Sequence, residues 1–266
     1  MSVLAEIVTA TRADLQRRVT DASFDAIRNA ATQRLAQLPC LNVEQALRGP
    51  DVAVIAEVKR RSPSAGTLAE IPEPAALAST YQAGGADMVS VLTEPTWFHG
   101  SLQDLQHVRQ AVTVPVLRKD FIVDEYQIVE ACAAGADAIL LIVAALPGDE
   151  LPRLLKVVHQ WQMSALVEVH DESEAARAAD AGARIIGVNA RNLDTLQVDP
   201  ETFARVVHEI PDQAIKVAES GLHSPDDVAK AVHAGADAVL VGQALVQSSN
   251  PAGLIKAMKE AAHVAH

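Results

Sequence analysis

The chain has 266 residues, 49% of them hydrophobic but only 3% aromatic, and a formal net charge of −12. So acidic a chain without a basic patch is repelled by nucleic acid and by anionic membrane surfaces, and neither is expected as a partner. The length suits one domain of about 200 to 250 residues plus an extension, and no apolar run approaches the ~20 residues of a membrane span.

Residues 1–50 place Leu4, Ile7, Val8, Leu15, Val19, Ile27, Leu35 and Leu38 at loosely helical spacing. This predicts a helical extension of about 50 residues that covers one end of the main body of the chain, being too short to bury a core of its own. The opening Met-Ser-Val-Leu-Ala-Glu has no basic stretch leading into an apolar core, so a cytoplasmic setting is expected. Cys40 and Cys132 lack any paired or metal-binding spacing and read as free thiols in a reducing compartment.

From residue 51 onward, short apolar runs alternate with helical stretches. The runs cover residues 52–58, 88–92, 114–117, 138–142, 165–169, 185–188, 215–218 and 238–241. Four of them come after a turn of the form Ala-Gly-Ala-Asp or a close variant, and the turn glycines Gly85, Gly135, Gly182 and Gly235 are 50, 47 and 53 residues apart. That spacing is twice one strand-helix unit, so the chain predicts eight units closed into an α/β TIM (βα)8 barrel. The barrel is expected over 51–266 and the extension over 1–50, together one domain.

In such a barrel the chemistry stands at the C-terminal strand ends. Here those ends are charged: Glu57 and Lys59 on the first strand, Lys119 on the third, Glu168 on the fifth, Asn189 and Arg191 on the sixth, Glu219 and Ser220 on the seventh. Alternation lets Glu57 share a face with Lys59, Lys119 with Phe121, and Asn189 with Arg191. Charges gathered there cost desolvation unless paired, and neighbouring lysines beside apolar walls are candidates for lowered pKa values. An ammonium and a carboxylate at the mouth supply acid and base, with a set of purely stabilising salt bridges as the competing reading.

The glycine turns after the last two strands, at Gly221 and at Gly242-Gln243, each open a helical stretch and fit a phosphate site, to which Ser62 adds a hydroxyl from across the mouth. A phosphorylated small-molecule substrate is therefore expected. No zinc-protease, nucleotide-loop or serine-elbow motif is present, and the histidines show no ligand spacing, so no metal is expected; His170, two residues after Glu168, is the one worth testing.

The segments Ile55-Ala-Glu57-Val-Lys59-Arg-Arg-Ser62-Pro-Ser64-Ala-Gly66, Leu92-Thr-Glu94-Pro-Thr-Trp97-Phe98, Arg118-Lys119-Asp120-Phe121, Gly187-Val-Asn189-Ala-Arg191-Asn192 and Ala218-Glu219-Ser220-Gly221 resemble the indole-3-glycerol phosphate synthase family of tryptophan biosynthesis. The likeness runs in order over residues 50–245. It implies a carbon-carbon lyase that closes, decarboxylates and dehydrates 1-(2-carboxyphenylamino)-1-deoxyribulose 5-phosphate, with no cofactor. By the same resemblance Lys119 is the general acid, Glu168 the base, and Lys59, held by Glu57, binds the substrate carboxylate or serves as a second acid. Asn189 and Ser220 join the catalytic set, while Arg191, Phe121 and Glu219 bind substrate. Ser62, Gly221, Gly242 and Gln243 match the phosphate positions, and neighbouring tryptophan-pathway enzymes become possible contacts. The chain departs from the family where Gln243 stands for a common serine, and Ala65 and Thr11 for common lysines. A sister barrel such as phosphoribosylanthranilate isomerase, or a silent phosphoribosyl-binding barrel, are the alternatives; neither needs Lys59, Lys119 and Glu168 together.

Overall fold

A computed structural model describes residues 2–264, so positions 1, 265 and 266 of the expected domain lie outside the described residues. The extension forms α1 (Val3–Asp21), α2 (Phe24–Gln37) and α3 (Val43–Leu47). The side chains of Ser2, Ser23 and Asn42 each accept the backbone N–H three residues on, which fixes where these helices begin.

Eight parallel strands come next: β1 (Ala53–Val58), β2 (Met88–Leu92), β3 (Val116–Lys119), β4 (Ala138–Ile142), β5 (Ser164–Val169), β6 (Ile185–Asn189), β7 (Ile215–Glu219) and β8 (Ala238–Val241). They pair in chain order, and β8 returns to β1 with Ala238 beside Ala53 to close the barrel. Between and after the strands lie α4 (Pro74–Ala83), α5 (Leu102–Ala111), α6 (Glu125–Ala134), α7 (Glu150–Gln160), α8 (Glu172–Asp180), α9 (Thr202–Val206), α10 (Pro225–His233), α11 (Gln243–Val246) and α12 (Pro251–Val264). The expected TIM barrel is thus the observed one. Its third strand starts and ends two residues later than the sequence suggests, which carries Arg118 and Lys119 into the sheet.

The repeated turn has a physical basis. Gly85, Gly135, Gly182 and Gly235 all sit at φ between 80 and 104°, the left-handed region that ends a helix at glycine without a Cβ penalty. The aspartate two residues later then clamps the strand before it: Asp87 accepts the Val54 N–H at 2.8 Å, Asp137 that of Val116 at 2.9 Å, and Asp237 that of Lys216 at 2.8 Å. Each of these three clamps joins an even strand to its odd predecessor; the Gly182 turn, ahead of β6, carries Arg184 at that position instead.

The core has two layers. Ile55, Met88, Leu117, Leu140, Leu166, Ile185, Val217 and Leu240 fill the barrel interior, and a larger shell of valine, leucine and alanine packs sheet against helices. Val43 and Leu47 of α3 belong to the interior cluster, and Glu44 reaches Arg184, just ahead of β6, at 3.0 Å. Ile7 of α1 joins the same cluster from the other side, where Val3, Leu4 and Ile7 line the mouth with Lys119 and Glu168. The extension therefore reaches both ends of the barrel, correcting the expectation of a cover at one. The reason is its length: α2 lies against α6 and carries the chain from mouth to base.

Candidate active site

Barrel alternation sends Lys119 inward at the end of β3, while its neighbour Arg118 points outward and is fully buried against Asp120 and Glu130 at 2.8 and 2.9 Å. Lys119 Nζ lies 2.7 Å from Glu168 Oε2 on β5 and 2.9 Å from Glu219 Oε2 on β7. One ammonium thus bridges two carboxylates from strands two and four places further round the barrel. Both carboxylates are 2% exposed, so their charges are largely removed from bulk solvent.

These three groups divide the protons. Burial alone would strip Lys119 of its charge, but Glu168, Glu219 and Glu57 outweigh it and raise the ammonium above its ordinary value. This corrects the expectation of a lowered lysine pKa: the nearest charges to Lys119 are carboxylates, not another lysine. For Glu168, burial acts upward, yet Lys119 and His170 hold it well below the usual carboxylate range. Glu219 is also pushed up by burial, Lys119 opposes that, and the charge on Glu168 adds to it, leaving Glu219 at about 7. Its second oxygen, Oε1, is buried with no hydrogen-bond partner. The cluster therefore holds a firm cation, a firm anion and one carboxyl poised to exchange a proton near neutral pH.

A second pair stands on β1 and just beyond it. Lys59 Nζ lies 2.6 Å from Glu57 Oε1, and Ser90 of β2 donates its hydroxyl to Glu57 Oε2 at 3.3 Å. Ser90 is absent from the residues expected at the site, although a serine inside the apolar run Met-Val-Ser-Val-Leu is the signal that marks it. Gly242 closes over the pair: a Cβ there would meet Glu57 Oε1 at 2.6 Å and Lys59 Nζ at 3.0 Å. A side chain at residue 242 would therefore displace the Glu57–Lys59 pair, whatever else the backbone there binds.

All the anticipated residues line one cavity at the mouth: Glu57, Lys59, Ser62, Lys119, Phe121, Glu168, Asn189, Arg191, Glu219, Ser220, Gly221, Gly242 and Gln243. Asn189 Oδ1 accepts the Arg191 backbone N–H at 3.0 Å, and Arg191 donates to the Leu196 carbonyl at 2.9 Å, which ties down the loop after β6. Ser220 and Gly221 take consecutive positive φ angles of 69 and 76°, a sharp exit from β7 that turns this loop toward the cavity. Ser62 lies in a two-stranded hairpin with Gly66 opposite, and its hydroxyl accepts the Ala65 N–H at 3.2 Å. The base of that loop is fixed by Arg60, which bonds Asp104 at 2.6 Å and the Ile71 carbonyl at 2.9 Å.

The apolar part of the cavity goes mostly beyond the sequence expectations. Val3, Leu4, Ile7, Leu92, Leu140, Ile142, Leu193 and Leu240 face the charged cluster together with Phe98 and Phe121, whose rings are 6.1 Å apart. The Leu-Thr-Glu-Pro-Thr-Trp-Phe segment acquires its purpose here. Glu94 accepts the backbone N–H groups of Thr96, Trp97 and Phe98 at 2.8, 2.6 and 3.1 Å and so presents Phe98 to the cavity.

A family model described as indole-3-glycerol phosphate synthase matches residues 4–258. The chain belongs to that family. Proteins bearing that name from Beutenbergia cavernae, a Parafrankia species and a Mycobacterium species are similar to it at 54, 55 and 55% identity. The alignments cover 96, 94 and 94% of this chain and 94, 92 and 91% of those relatives. Solved structures share the fold: a thiamine phosphate pyrophosphorylase from Pyrococcus furiosus, at a TM-score of 0.62 and 15% identity, covers 84% of this chain and is itself covered over 99%. The activity the family brings is that of indole-3-glycerol phosphate synthase, a lyase of tryptophan biosynthesis. Of the departures, Gln243 lies on the cavity wall at the start of α11, whereas Ala65 and Thr11 do not line the cavity. Among the described residues no group of three or more His, Cys, Asp or Glu is arranged to hold a metal ion, and no helix is long and apolar enough to cross a membrane.

Proposed function

We propose that the mouth cavity performs the synthase reaction on 1-(2-carboxyphenylamino)-1-deoxyribulose 5-phosphate, with Lys119 as the general acid of ring closure. The observation that carries this reading is the Lys119 ammonium, held charged between Glu168 and Glu219 in a water-poor cavity. As the anthranilate ring carbon that bears the carboxylate attacks the ribulose carbonyl, negative charge builds on the carbonyl oxygen, and an adjacent ammonium neutralises it by giving a proton. Loss of CO2 then restores the aromatic ring. Glu168, freed of its bond to Lys119, accepts the proton from the carbon beside the new hydroxyl. Lys59, left free once CO2 is lost, gives that hydroxyl the proton with which it departs as water as the indole double bond forms. Substrate in, and indole-3-glycerol phosphate, CO2 and one water out, balance the sequence.

Lys59 binds the carboxylate that is lost, with Glu57 and Ser90 fixing its position. Phe121, Phe98 and the α1 residues Leu4 and Ile7 wall the aromatic end, Asn189 and Arg191 orient it, and Ser220 supports the same end. Glu219, at about 7, returns the proton to Lys119 between turnovers. Ser62, Gly221, Gly242 and Gln243 receive the phosphate, which in this chain rests on backbone N–H groups more than on side-chain charge. We infer that extension and barrel act as one domain, because α1 supplies part of the cavity wall. The setting proposed is the cytoplasm, with neighbouring pathway enzymes as contacts. The test is a turnover assay: adding the carboxyphenylamino-deoxyribulose phosphate to the purified protein should produce indole fluorescence, and Lys119→Ala should abolish it. No fluorescence from the folded wild-type protein would overturn the reading.

A further inference from the structure

His170 has no part in the proposed reaction, yet among the described residues it is the histidine that pairs with a carboxylate of the charged cluster. It comes directly after β5, and its side chain is 14% exposed. Glu174 of α8 accepts both its backbone N–H, at 2.8 Å, and its Nδ1, at 3.0 Å. A carboxylate only accepts, so Nδ1 carries a proton. The other nitrogen, Nε2, lies 3.4 Å from Glu168 Oε1 and has no hydrogen-bond partner. In a neutral ring with Nδ1 protonated, the Nε2 lone pair would face the carboxylate oxygen. Protonation at Nε2 turns that repulsion into attraction, so the placement favours the imidazolium.

We propose that His170 is a positioning residue for Glu168, serving as a second counter-cation that keeps the carboxylate ionised and oriented after Lys119 has given up its proton. The two Glu168 oxygens are divided between two cations, Lys119 at Oε2 and His170 at Oε1. Lys119 also serves Glu219 and is the cation that ring closure discharges. Without another, Glu168 would face the later step as a buried carboxylate with nothing to offset its desolvation, and it would take up a proton when it must be a base. The charged groups that face the ring are Glu168 from β5 and Glu174 from α8; Lys119 from β3 meets it only through Glu168. Burial disfavours the charged ring, but the carboxylates of Glu168 and Glu174 overcome that and push His170 up to about 10. This inference rests on Lys119 as acid and Glu168 as base.

The experiment compares wild type, His170→Gln, His170→Ala and Lys119→Ala by turnover rate and Michaelis constant across pH, with ring-nitrogen NMR of His170 in the wild type. His170→Ala should lower kcat about tenfold or more with little change in KM, and the acid limb of its kcat profile should move up by about one unit. His170→Gln, which keeps a neutral N–H donor, should fall between the two, and the wild-type ring should carry both protons at pH 8. A neutral ring at pH 8 would overturn the proposal even if no variant folds, as would a lowered kcat with an unmoved pH profile, the signature of a purely structural role. An inactive Lys119→Ala beside a fully active His170→Ala would refute this inference alone, whereas a fully active Lys119→Ala would refute the reading beneath it.

Discussion

A Cβ at position 187 would stand 2.0 Å from Glu219 Oε1, so the carboxylate at the end of β7 occupies its place only because β6 carries a glycine there. Gly187 is level with Glu168 in the sheet and also sits within 3.1 Å, by the same measure, of the Leu166 side chain. Gly187→Ala should displace Glu219, and with it Lys119, and lower kcat/KM about 100-fold, since errors near 1 Å in a catalytic group cost that much. Steady-state kinetics beside a thermal melt check this; an alanine variant with native kinetics would show that Glu219 moves aside without consequence.

Glu219 also links activity to stability. Its pKa of about 7 lies above the ordinary ~4.3 of an unfolded chain, so the folded state holds the proton more tightly. Its contribution to stability is therefore fully present below ~4.3 and is lost as pH rises through about 7. Glu219→Gln removes that loss. Melting temperatures of wild type and variant should diverge in the variant's favour between pH 4.5 and 8 while turnover falls, and parallel curves would contradict the protonation assigned to Glu219.

Gly242 tests two roles at once. If its backbone alone mattered, for phosphate, a substitution would change KM and leave kcat untouched. Because its missing side chain makes room for Glu57 and Lys59, Gly242→Ala should lower kcat about 10- to 100-fold as well. A rise in KM with unchanged kcat would leave phosphate as its sole concern.

The barrel is legible in the sequence because its signals are local. Four glycines at helix ends and aspartates clamping the preceding strand write the period into the chain, and the charged strand ends stand out against apolar runs. The cavity residues Glu57, Lys59, Lys119, Glu168 and Glu219 are legible for the same reason. Illegible are the features that depend on chain folding back from afar. The placing of Val3, Leu4 and Ile7 over the mouth rests on the path of α1 and α2, and no spacing rule near residue 4 points to residue 119. The protonation pattern escapes the sequence because it turns on distances between strands: Lys119 is raised, not lowered, since Glu168 and Glu219 approach within 2.9 Å while sitting 49 and 100 residues away in the chain. Gly187 and Gly242 look like ordinary turn or strand glycines until the carboxylates beside them are placed.

The central claim is that Lys119 acts by giving a proton and not only by holding charge. Lys119→Arg keeps a cation for Glu168 and Glu219, and so spares the fold the cost of an unpaired buried carboxylate, but a guanidinium does not release its proton. The most direct measurement is single-turnover indole fluorescence of Lys119→Arg on folded protein. A rate reduced about 1,000-fold or more is expected; a rate close to wild type would show that charge alone suffices and that the acid lies elsewhere.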